Sequence, residues 1–67
     1  MNGRFNSQTI DNVVSRIRAH DFSYTYVVEE LTRIGINQHE AEVVADTAVG
    51  LKNEEAEDYI RQFLEAV

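Results

Sequence analysis

A chain of 67 residues is a single domain, and a domain of that size buries only about 60% of the surface its unfolded form exposes, so its core is thin. It has no cysteine, which excludes disulfides, thiolate zinc sites, iron–sulfur clusters and a cysteine nucleophile; close helix packing or self-association is left to supplement the core. Its net charge of −6 disfavours phosphate backbones and anionic lipid, because affinity for both rests mainly on Lys and Arg.

The charge is unevenly placed. Residues 1–39 balance Arg4, Arg16, Arg18 and Arg33 against Asp11, Asp21, Glu29 and Glu30. Residues 40–67 set Glu40, Glu42, Asp46, Glu54, Glu55, Glu57, Asp58 and Glu65 against Lys52 and Arg61, so the whole excess lies in the second half. Residues 1–9 lack the apolar core of a signal peptide, and no stretch approaches a membrane span. One cytoplasmic domain over residues 1–67 is expected, with residues 1–5 as a flexible N-terminus.

Proline is absent and the glycines stand singly at Gly3, Gly35 and Gly50, which leaves no linker or internal boundary. Ile10, Val13, Val14 and Ile17 follow helical spacing and predict a helix over 7–19. Asn6 is its N-cap, with Phe5 and Ile10 as a hydrophobic staple. His20 and Asp21 break the pattern. Ser23 then caps a second helix over 24–34, stapled by Phe22 and Val27, whose apolar stripe is Tyr24, Val27, Val28, Leu31 and Ile34.

Gly35 stands where a left-handed C-cap dispenses with a side chain, and Ile36 where the accompanying apolar contact falls. Asn37, with Glu40 three residues on, is a variant capping box opening a third helix over 38–49. Its buried face is narrow, made of Ala41, Val44, Ala45 and Ala48. Gly50 repeats the stop signal, Leu51 the apolar residue after it, and Asn53 the cap. Glu54 and Glu55 meet the helix dipole in the first turn of a fourth helix over 54–66, whose apolar face is Ala56, Tyr59, Ile60, Phe63, Leu64 and Val67. The fold class is all-α, a compact bundle of three to four short helices.

Residues able to do chemistry are few. His39, Glu42 and Asp46 share a helix face and have donor types a divalent cation accepts, but they also read as the solvated face opposite Ala41 and Val44. His20 beside Asp21, near Ser15 and Ser23, contains the residue types of a nucleophile triad without the converging elements such a site uses. No glycine-rich phosphate loop is present. No catalytic residue, metal or cofactor is expected, and the chain reads as non-enzymatic.

Two surface features suit binding. Glu54, Glu55, Glu57 and Asp58 are the densest charge cluster, and Tyr26 lies off the apolar stripe, where a tyrosine offers apolar area with a polar tip. From residue 27 to 66 the chain also resembles the ubiquitin-associated domain and its relatives: Ile34-Gly35-Ile36 corresponds to the family's Met-Gly-Phe type loop, followed by Ala41, Asn53, Ala56 and Tyr59-Ile60. The spacing from Gly to Asn is about one residue longer than in that family, both loop apolar residues are Ile, and the first helix is an addition. The resemblance implies a three-helix module with Ile34, Gly35, Ile36 and the end of the last helix as its binding surface.

The expected function is a protein-binding module (an adaptor, inhibitor or small assembly subunit) with an acidic C-terminal half, another protein as partner and a homodimer as a supplement to its core. The alternative is an acidic decoy that mimics nucleic acid and blocks a basic nucleic-acid-binding protein. Direct nucleic-acid or membrane binding is not expected.

Overall fold

The computed structural model describes residues 3–67, with four helices: α1 (Ser7–Ala19), α2 (Tyr24–Arg33), α3 (Gln38–Val49) and α4 (Asn53–Ala66). No strand occurs among the described residues, so the fold is all-α. Of the N-terminal residues read as flexible, Met1 and Asn2 lie outside the described residues, whereas Arg4 bonds to Gly35 and Phe5 packs against the core.

The starts of α1, α2 and α3 are fixed by short polar side chains that accept from amides left without helical partners. Asn6 Oδ1 accepts from Thr9 N at 2.8 Å, Ser23 Oγ from Tyr26 N at 3.2 Å, and Asn37 Oδ1 from His39 N at 2.8 Å. Asn37 also accepts from Glu40 N at 3.4 Å. The start of α4 differs from expectation. Its N-cap is Lys52, which makes no side-chain cap bond, and Asn53 is already helical. The first helical bond, from Ala56 N to Lys52 O at 2.7 Å, sets the cap one residue before the asparagine.

The C-terminal ends differ more. α2 closes in a Schellman turn: Gly35 has φ +99°, its amide reaches Thr32 O, and the Ile36 amide reaches Leu31 O, both at 3.0 Å. Gly50, expected to repeat this, has φ −88° and ψ −1°; it continues the right-handed chain, so its missing side chain serves no left-handed turn. The second Schellman turn closes α1 instead. Asp21 donates to Arg18 O and Phe22 to Ile17 O, each at 3.0 Å, with Asp21 at φ 58° and Phe22 at φ 55°. An aromatic residue there costs about 1–2 kcal/mol. Burying the ring to 4% exposure offsets this with about 1.5–3 kcal/mol.

Each helix lies against its neighbour in sequence and α4 returns to α1; the backbones of α1 and α3 do not approach closely, nor do those of α2 and α4. The core inside this ring receives Ile10, Val13, Val14 and Ile17 from α1, Val27 and Leu31 from α2, and Ile60 and Leu64 from α4. Ala41, Ala45 and Ala48 are fully buried, so α3 has room only for small side chains between its two neighbours. Tyr24, assigned to the stripe of α2, is 42% exposed. It occupies the first position of that helix, too near the end to be covered.

Two predictions test these ends. Gly35→Ala forces a side chain into a left-handed position 3.2 Å from the Arg4 guanidinium and should lower stability by about 1–2 kcal/mol. Gly50→Ala meets only Thr47 O at 3.6 Å and should raise it by about 0.4–1 kcal/mol; urea unfolding of both variants measures the difference in sign. Lys52→Ser supplies the missing cap and removes a cation from a helix N-terminus. It should raise stability by about 1 kcal/mol, seen as a melting temperature higher by about 4–8 °C.

Candidate functional site

The acidic start of α4 is built by the helix itself. Glu54 and Glu55 occupy the first turn, where the positive end of the helix dipole stabilises them, and both are exposed, as is Asp58. Glu57 differs. It is half-buried, accepts from Arg18 Nη1 at 3.1 Å and faces Arg61 Nη2 at 3.6 Å. Arg61 in turn donates to Asp11 Oδ1, so Glu57 belongs to a network tying α4 to α1. The Arg61 guanidinium is raised above the ordinary arginine value, first by its hydrogen bond to Asp11, against an opposing effect of burial. It therefore stays charged wherever the chain folds.

The apolar candidates lie elsewhere. Tyr26 is half-buried, and its ring stacks on His20 with centroids 3.7 Å apart and planes 15° apart. Its position off the stripe of α2 turns it toward the end of α1. Ile34 is half-buried and Gly35 exposed. Ile36 is 3% exposed and part of the core, so it cannot meet a partner while the turn is folded; the apolar contact of the Schellman turn is what draws it inward. Tyr26 lies near the start of α2 and Ile34 and Gly35 at its end, whereas Glu54, Glu55 and Asp58 lie at the start of α4.

The chemical candidates do not assemble. No group of three or more His, Asp or Glu side chains among the described residues converges as a metal site, and Glu42 instead accepts from Gln38 Nε2 at 2.9 Å. His20 is stacked on Tyr26, and Asp21 occupies the left-handed turn. The described residues form no pocket, and no described helix is long and apolar enough to cross a membrane.

Glu30 enters the sequence pattern only as one charge in the balance of residues 1–39. Its side chain is fully buried between Arg16 of α1 and Arg33 of α2. Arg16 Nε donates to Oε1 at 2.7 Å, Arg33 Nη2 stands 3.6 Å from Oε2, and Oε2 has no hydrogen-bond partner. The hydrogen bond to Glu30, then its charge, raise the Arg16 guanidinium above the ordinary value. A signal was present: residues 27, 30, 31 and 34 follow helical spacing, which puts Glu30 on the buried stripe of its own helix.

Comparison of the chain with protein families, with curated proteins and with solved structures finds no match.

The buried carboxylate should separate partner loss from pair replacement. Arg16→Ala removes the hydrogen bond to the buried Glu30 carboxylate, leaving it only Arg33 at 3.6 Å, and should lower stability, because a buried carboxylate without a hydrogen bond is costly. Glu30→Leu replaces the charge with apolar volume and should leave stability within about 1 kcal/mol of the parent or raise it. Arg16→Ala added to Glu30→Leu should then have little further effect, a cycle measurable by denaturant unfolding.

Proposed function

We propose that this chain is a non-enzymatic protein-binding module whose acidic face, at the start of α4, docks on a basic surface of another protein. The supporting observation is how its charges are used. Arg16, Arg18, Arg33 and Arg61 are each paired within the chain, whereas Glu54, Glu55 and Asp58 are exposed and pair with no cation among the described residues. The charge offered outward is therefore mostly negative, and opposite charge steers a basic partner to it.

The similarity of α2–α4 to ubiquitin-associated modules is part of this proposal, supported by the glycine turn at Gly35 and the alanine face of α3. A cytoplasmic setting accords with the absence of cysteine, and self-association would supplement the thin core.

The test is affinity capture from the native host with the parent chain and with Glu54→Lys/Glu55→Lys/Asp58→Lys. A partner held by the parent should be lost from the triple variant and should elute as salt rises, since exposed charge pairs are screened. An unchanged set of captured proteins, insensitive to salt, would refute the acidic-face reading. Displacement of the partner by duplex DNA would favour the decoy alternative.

A further inference from the structure

The segment Gly3–Phe5 touches two separate parts of the chain through one residue. The Arg4 amide donates to Val67 O at the end of α4, at 3.4 Å, and Arg4 Nη2 donates to Gly35 O at 2.8 Å. The same guanidinium lies over the Phe5 ring, 5.3 Å from its centroid, and Phe5 packs against the edge of the core. A planar guanidinium can bond a carbonyl and lie on an aromatic face together, which an ammonium does less well.

Gly35 is shaped for this contact as well as for its turn. A Cβ there would stand 3.2 Å from Arg4 Nη2, so the absent side chain leaves the cation its place. The position is the C-terminal end of α2, where the helix dipole favours positive charge. Arg4 is also the described arginine that pairs with no carboxylate, the others being paired. The hold is made by Arg4 and Phe5: a Cβ built on Gly3, whose φ is +98°, would meet nothing within 4 Å.

We infer that Gly3–Phe5 is a strap held by the Arg4 guanidinium on the Gly35 carbonyl and by the Arg4 amide on the Val67 carbonyl, and that an arginine of a basic partner takes this place when the strap lifts. The inference rests on the reading of the chain as an acidic module for a basic protein, and it names the group that protein would present. The strap acts as a built-in competitor, because a tethered segment is present at a millimolar effective concentration.

The test uses the whole chain, parent and Arg4→Ser, labelled with nitrogen-15 and titrated with the capped peptides Gly-Arg-Phe and Gly-Lys-Phe. The arginine peptide should shift the Gly35, Ile36 and Val67 amides of Arg4→Ser, with apparent affinity at least about tenfold weaker for the parent. The lysine peptide should bind less well. Arg4→Lys, which keeps the charge and loses the planar fork, should fall between parent and Arg4→Ser and provides the comparison should Arg4→Ser not fold. Equal affinity for parent and Arg4→Ser, or no shift at Gly35, overturns the strap. Shifts confined to Glu54, Glu55 and Asp58 overturn it too, while leaving the acidic-face reading standing.

Discussion

The placement of α1 is the constraint on which the rest of the structure depends. α2, α3 and α4 pack in series, and the ring closes only because α1 lies against both α2 and α4. Its apolar stripe, Ile10 to Ile17, is almost wholly buried, and its flanks carry the groups that fix its position. Arg16 reaches Glu30 on α2, while Arg18 and Asp11 reach Glu57 and Arg61 on α4. Exposed pairs of this kind contribute about 0–1 kcal/mol each, so burial drives the association and the ion pairs set its register. The buried Glu30 is the exception, since a charge without its partner there penalises any other seating of α1.

That arrangement has a consequence for charge. A chain with 6 basic and 12 acidic side chains commits four arginines to internal pairs. The carboxylates they leave behind are concentrated on α3 and the start of α4, helices that make no ion pair to α2 among the described residues. The acidic surface is thus a by-product of how α1 is held as well as a candidate binding face. Mutations that free an arginine would change stability and surface potential together, so binding data on such variants need a stability measurement beside them.

What the sequence made legible follows from the range of the forces involved. Asn6, Ser23 and Asn37 cap through bonds spanning two or three residues, and Gly35 closes a turn defined within six residues, so local reading located these ends. Gly50 misled because glycine is compatible with a left-handed turn and does not require one. Asp21 and Phe22 were missed for the converse reason: a buried ring can hold a side-chain-bearing residue in that conformation when the tertiary gain exceeds the local cost. Among the binding candidates, Glu54, Glu55 and Asp58 are exposed as their helix phase implied. Ile36 is turned inward by the apolar contact of its own C-cap, which the local pattern did contain; Glu57 is occupied by a contact to α1 and Tyr26 by one to His20, which no local pattern encodes.

A thin core also makes binding and folding hard to separate. For a domain of this length, net stability is roughly 3–10 kcal/mol, and a ligand at a hundred times its dissociation constant adds about 2.7 kcal/mol. A partner on either surface would therefore shift the folded population by an amount comparable with the loss of a helix cap or a buried side chain. The strap shares this property on a smaller scale, because Arg4 joins the turn after α2 to the end of α4, two helices whose backbones do not otherwise approach closely. Lifting it removes a tie across the ring, and an arginine arriving from outside can restore the bond to Gly35 but not the covalent connection to α1. Occupancy of that site is thus coupled to how firmly the ring is closed.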